Sequence, residues 1–144
     1  LTQKYSRLMV QEYFGDDPYD GWPGDEDQGQ MGSWFVMSSI GLFQMDGGCR
    51  ENPIYELGSP LFDKVEIKLH PKYYPRDKFV INTRNNSPEN LYVQKAYLNG
   101  QELTRCWIYA REVQKGGKLV LEMGAEPNKN WGTGEENRPP DPNK

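Results

Sequence analysis

Histidine occurs once in these 144 residues, cysteine twice, and no apolar run comes near the ~20 residues that cross a bilayer. Each shortage removes a class of function. A Ser-His-Asp triad needs an imidazole beside its nucleophile, whereas His70, next to Pro71 at the end of an alternating strand pattern, reads as a solvent-facing turn residue. Cys49 and Cys106 lie far apart and outside CxxC or zinc-ligand spacing, so they define neither a metal site nor a disulfide framework, and a single bridge between them stays open. Basic residues are not in excess: 17 Lys and Arg stand against 21 Asp and Glu, a net charge of −4 without a basic cluster. That balance argues against binding through phosphate neutralisation, and nucleic acid is not expected as a partner. Neither a membrane-length segment nor a signal-peptide core is present, so membrane insertion is not expected. Hydrolysis by this chain would fall to carboxylates.

Apolar residues are also scarce, at 35 %, while aromatics reach 12 %, so rings must supply much of a modest core. The chain changes character near Gly47. Before it, Leu1 to Glu12 has helical spacing through Tyr5, Leu8 and Met9, and Gln28 to Phe43 has it more strongly. In that second helix Met31, Trp34 and Phe35 share one face and Val36, Ile40 and Phe43 another, which predicts burial on both sides. The first residue is Leu1 and helix already begins there, so the chain reads as a mature product or an excised piece. After Gly47 the period is two. Val65, Ile67 and Leu69 alternate with charged residues, Phe79 and Ile81 continue the style, and Leu91 to Leu98 runs into Asn99-Gly100, a pair suited to a type I′ hairpin. Leu103 to Tyr109 is the expected partner of that strand, and Gly116-Gly117 turns the chain into a last strand, Lys118 to Met123. Asn85-Asn86-Ser87 is a glycosylation triplet by pattern, but with Pro88 following it reads as a polar turn.

The expected fold is therefore α+β. It has a helical segment with an acidic loop over 1–46, an antiparallel β-sandwich over 47–124, and a tail over 125–144. Beyond Trp131 the tail has no apolar residue and carries prolines, so it is expected to be loose.

Between the two helices lies GDDPYDGWPGDED, where Gly, Pro and Asp break both periodicities. Loops this acidic and aromatic on a rigid scaffold are where function tends to sit. Asp25, Glu26 and Asp27 stand directly before the second helix and admit two readings. Asp27 followed by Gln30 resembles a capping box, and acids at a helix N-terminus are favoured by its dipole. Alternatively, an extended chain sends Asp25 and Asp27 to one side and Glu26 to the other, and two convergent carboxylates suit a site that takes a proton from water. Gly21, Gly24 and Gly29 would let a substrate approach the backbone, while Trp22 is either a loop anchor or a platform for a sugar ring. Asp16, Asp20, Gly21 and Asp27 match an EF-hand frame only by coincidence, since Pro18 occupies a ligand position. Tyr73, Tyr74 and Trp107 could form a carbohydrate platform or belong to the core.

The run Gly24-Asp25-Glu26-Asp27-Gln28-Gly29-Gln30-Met31-Gly32-Ser33-Trp34-Phe35 and onward to Phe43 resembles the signature of glycoside hydrolase family 92, the calcium-dependent exo-acting α-mannosidases. Gly58-Ser59-Pro60-Leu61-Phe62-Asp63-Lys64-Val65, Leu98-Asn99-Gly100, Trp107-Ile108, Glu122-Met123-Gly124, Pro127-Asn128 and Trp131-Gly132 extend the likeness over nearly everything from Gly21 to Gly132. The departures are Gln28 where Cys is frequent, Gly32-Ser33 for Ser-Ala, and Gln44-Met45-Asp46 after the helix; the acidic triplet is kept.

The resemblance implies an enzyme several times longer, with an N-terminal β-sandwich and a catalytic (α/α)6 barrel whose closing helices would be residues 1–46. It implies hydrolysis with inversion, Asp27 as general base with Asp25 as its partner, and Trp22, Gly24 and Gln30 on the substrate. Inversion requires carboxyls ~6.5–9.5 Å apart across the sugar. The general acid, a Glu, and most calcium ligands would come from the upstream portion of the same enzyme, leaving this piece inactive alone. Mannose-containing glycans, with α-1,2 linkage the family's commonest label, are the implied partners, Ca2+ the implied cofactor, and a secreted or bacterial periplasmic location the implied setting. The rivals are a noncatalytic carbohydrate-binding or structural β-sandwich, and another (α/α)6-barrel glycosidase with glucosidic specificity.

Overall fold

A computed structural model describes residues 1–19, 21–26 and 28–141. Helix α1 (Thr2–Glu12) buries Arg7 and Val10. Helix α2 (Gln30–Ile40) stops at Gly41, whose φ is +79°, and where a Cβ would meet Pro60 Cγ at 2.4 Å. Only glycine allows both the left-handed cap and that approach. The helix is thus shorter than its apolar pattern, and Leu42–Phe43 becomes strand β1. Its two apolar faces also differ. Met37 and Ile40 pack on the sheet core, and Phe14 stacks on Trp34 and Phe35 at 5.5 and 5.0 Å, but Val36 is 55 % exposed. Burial on both sides is not met among the described residues.

Strand β2 (Ile54–Leu57) lies between β1 and a later strand, β7 (Trp107–Tyr109), in a three-stranded sheet. The second sheet holds five strands in the order β3 (Lys64–Lys68), β4 (Lys78–Arg84), β8 (Gly117–Gly124), β5 (Tyr92–Leu98) and β6 (Gln101–Glu102). A short helix, α3 (Ala110–Gln114), separates β7 from β8. One core draws on both sheets, with Leu42, Phe79, Ile81, Ile108, Leu119 and Leu121 almost wholly buried.

The α+β class and most strand positions follow the sequence pattern. Val65 and Ile67 sit opposite Ile81 and Phe79, and Asn99 and Gly100 take φ of 53° and 85° in their turn, as a type I′ hairpin requires. A bulge between Val93 and Lys95 explains why the buried residues of β5, Val93 and Ala96, are spaced three apart. His70 is exposed in the β3–β4 turn, where Nδ1 accepts the Lys72 N–H at 3.2 Å. Cys49 and Cys106 are both free thiols.

Three expectations are corrected. The sandwich is not wholly antiparallel: β8 runs antiparallel to β5 but parallel to β4. Alternation along a strand reports which face is buried, not which neighbour it takes, so periodicity carried no signal for this pairing. Leu103 to Tyr109 is not the continuous partner of β5 either. Gln101–Glu102 pairs there, with one further bond from Leu103 N–H to the Ala96 carbonyl at 2.8 Å, and the chain then crosses to the other sheet, where β7 pairs with β2. Finally, the tail is held through Pro140. Asn137 is buried, its carbonyl accepts Trp107 Nε1–H at 2.9 Å, its Oδ1 accepts the Thr104 hydroxyl at 2.7 Å, and Arg50 donates to the Pro140 carbonyl at 2.9 Å. Polar contacts do this work, and a count of apolar residues does not register them.

Candidate active site

The acidic loop is tied at both ends. At its start, Phe14 stacks against α2, and the Gly15 N–H donates to the Gly21 carbonyl at 3.1 Å, closing the first part of the loop on itself. At its end, Gln28 and Gly29 take positive φ of 57° and 80° and turn the chain into α2. The Asp27–Gln30 capping box that the spacing offered falls on Asp27, outside the described residues; the helix begins with Gly29 as N-cap, a residue with no side chain to offer as a cap. Glu26 provides it: its carboxylate accepts the backbone N–H groups of Met31 at 3.0 Å and Gly32 at 3.2 Å. These are among the N–H groups that a helix leaves without partners in its own ladder, and a negative charge there is favoured by the dipole.

This division of labour separates the triplet. Glu26 is half-buried and committed to the helix, whereas Asp25 is exposed on the loop surface. Asp27, the residue to which the resemblance gives the base, lies outside the described residues, as does Asp20. Trp22 is 50 % exposed, Gly24 takes φ +98° with open space where a Cβ would stand, and Gln30 is exposed at the first turn of α2. Trp22, Gly24, Asp25 and Gln30 therefore present a solvent-facing surface rather than a closed pocket.

A well-formed cavity lies elsewhere among the described residues. A groove of about 880 Å³ runs between α1, α2 and the sheets, with Tyr5, Met9, Trp34, Phe43 and Trp131 in its lining, and Trp22, Gly24, Asp25 and Gln30, the predicted site residues that are described, do not border it. No three His, Cys, Asp or Glu side chains among the described residues converge to hold a metal ion. The aromatic platform is not built: Trp107 is 6 % exposed with the Arg105 guanidinium 4.7 Å from its ring, and Tyr74 packs on the core, leaving Tyr73 alone at the surface. Burial raises the pKa of the Cys106 thiol, which makes it a poor nucleophile.

Sequence reasoning missed Glu26 as the helix cap and Arg7 as a buried residue. The signal for Glu26 was present, since an acid stood just ahead of the apolar helix, but three adjacent acids left its identity open. For Arg7 there was none, because a cation on a helix is ordinarily a solvated residue.

The model of the glycosyl hydrolase family 92 catalytic domain matches residues 1–125. A protein of Arthroderma benhamiae named an uncharacterized secreted glycosidase is 38 % identical over 141 residues, which are 97 % of this chain and 17 % of that protein. An inverting mannosidase of family GH92 from Bacteroides thetaiotaomicron superposes with a TM-score of 0.84 at 35 % identity, covering 99 % of this chain and 18 % of that one. A GH92 α-mannosidase of the same organism, solved also in complex with mannoimidazole, gives 0.84 at 29 % identity over 96 % of this chain and 18 % of its own. This chain thus spans less than a fifth of the length of these relatives, and with the family's model matching nearly all of it, it belongs to glycosyl hydrolase family 92.

Proposed function

We propose that this chain is the C-terminal part of an inverting exo-α-mannosidase that removes terminal mannose from glycans, with α-1,2 linkages its principal substrate. The observation that carries the reading is the split of the acidic triplet. Glu26 meets the helix's demand for a cap, so Asp25 is left at the surface, where a capping role would not have placed it. In the proposed reaction Asp27 takes a proton from a water molecule. That water attacks the anomeric carbon from the face opposite the leaving group, and a general acid outside this chain protonates the departing oxygen. Asp25 orients the water and holds negative charge near the base, keeping its proton affinity high. Trp22 offers an apolar face to the sugar ring, while Gly24 lets the ring approach the backbone.

We assign residues 1–46 to the closing helices of the catalytic barrel, 47–124 to the sandwich and 125–144 to a tail. Calcium is proposed to be held largely by groups outside this chain. The relative named as secreted supports an extracellular or periplasmic setting, and no helix among the described residues is long and apolar enough to cross a membrane.

The test uses a full-length protein carrying this chain. Asp27→Asn should nearly abolish hydrolysis of α-1,2-mannobiose with folding unchanged, and NMR of the wild-type reaction should show β-mannose as the first product. Near-normal turnover by that variant would overturn the base assignment, and α-mannose as first product would overturn inversion. Chelation should inactivate the protein and added Ca2+ restore it; indifference to chelators removes calcium.

A further inference from the structure

We infer that Arg7 is a positioning residue for the acidic loop, acting through a strap, Gly58–Leu61, from which both flanking helices hang. This rests on the reading that Asp25 and Asp27 act on water.

Arg7 is 2 % exposed on α1, and its partners among the described residues are neutral oxygens. Its Nε–H donates to Ser59 Oγ at 3.1 Å, and Nη2 donates to the Pro60 carbonyl and to Asn86 Oδ1, the latter at 2.7 Å. Burying a cation against neutral acceptors is a costly way to fill a core. What a planar guanidinium supplies that an apolar side chain does not is direction. Acceptors from two separate loops fix how α1 is rotated and how far it slides along its axis.

The same strap holds the far end of α2. Leu61 N–H donates to the Ser39 carbonyl at 2.8 Å, Gly58 N–H to the Gly41 carbonyl at 2.9 Å, and Gly41 lies directly against Pro60. Asn86 locks the strap from the sheet side, its Nδ2 donating to the Leu61 carbonyl at 3.2 Å while its Oδ1 receives Arg7. The acidic loop joins these two helices, with Phe14 leaving α1 and Glu26 entering α2. Its spatial frame is therefore set by a joint whose members, Arg7, the strap and Asn86, lie twenty or more residues from the base in sequence. A misplacement of about 1 Å in such a frame costs on the order of 10²-fold in rate.

The experiment compares Arg7→Met, Arg7→Lys, Ser59→Ala and Asn86→Ala in a full-length protein carrying this chain, with Asp27→Asn alongside. Arg7→Met should lower kcat by about 10–100-fold with KM within about threefold, and should shift the acidic limb of the pH–rate profile, which reports the base. Arg7→Lys, which keeps the charge and loses the fork, should recover folding more than kcat. Ser59→Ala removes one acceptor and Asn86→Ala an acceptor together with the donor to Leu61; each should show the same kcat-selective loss, about 3–10-fold, and they decide the matter if Arg7→Met does not fold. An unchanged kcat and pH profile in folded variants, or a loss that merely tracks the folded fraction, overturns the positioning role while an inactive Asp27→Asn still upholds the base. An active Asp27→Asn overturns the base and this inference with it.

Discussion

The sheets and the helical segment of this chain bury their apolar surface to different degrees. In the sheets Phe79, Ile81, Val93, Ile108, Leu119 and Leu121 are at most 1 % exposed, and both sheets share them. Around α1 and α2, Tyr5, Trp22 and Val36 remain 54, 50 and 55 % exposed, and the residues these helices bury fully are Arg7, Val10 and Ser39. A self-sufficient core satisfies its own hydrophobic demand, and an apolar helix face left in water marks a surface for something else to cover. The contrast separates a part that holds the fold from a part that leaves apolar surface in water.

That contrast is sharpened most by pairing a loop variant with a core variant. In a full-length protein, Asp27→Asn should cost about 10²–10⁴-fold in turnover while the thermal transition stays in place. Phe79→Ala should do the reverse, destabilising by about 3–5 kcal/mol as read by denaturant unfolding, with any surviving activity proportional to the folded fraction. If both variants lose stability equally, the division between the two regions is wrong. A smaller effect is expected at Val36. In this chain alone Val36→Lys should change stability by within about 0.5 kcal/mol, as at an ordinary surface site. In a full-length protein it should cost clearly more, because a charge would then be buried; equal effects in both settings would mean that the face stays in water.

The smallest effect concerns acid. The hydrogen bond from Arg50 holds the Asp46 carboxyl below its ordinary 3.8. A carboxylate whose folded pKa is depressed stabilises the fold above its unfolded value and loses that contribution as pH falls through the folded one. Arg50 also donates to Pro140, so below about pH 3.8 the tail should loosen before the sheets do. Hydrogen exchange at the amides of residues 134–138 against those of β8 checks the order, and Arg50→Gln should remove the pH dependence.

What was legible in the sequence was whatever depends on near neighbours. Val65 and Ile67 announced a half-buried strand, and Asn99-Gly100 a turn needing two positive φ values, because side-chain direction and backbone sterics are local. The acidic loop was legible for the same reason, and so was the family likeness. What stayed hidden depends on partners distant in sequence. The parallel pairing of β8 with β4, the pairing of β7 with β2, the docking of Asn137 beneath Trp107 and the burial of Arg7 each join segments separated by about thirty residues or more. None leaves a periodic trace. Glu26 could not be singled out as a cap because Asp25, Glu26 and Asp27 are alike in charge, and charge does not report the turn through Gln28 and Gly29 that brings Glu26 to the helix.

The place of β8 between β4 and β5 has a consequence for how the polypeptide is made. Ribosomes deliver β3, β4, β5 and β6 first, so the nascent chain waits as two hairpins, each with a long unsatisfied rim, until residues 117–124 emerge. Closure of the sheet depends on pairings across much of its length, which is slow, and open rims invite sticking between chains. Translation rate near this stretch, and chaperone supply during it, should therefore govern the yield of soluble product more than the final stability does.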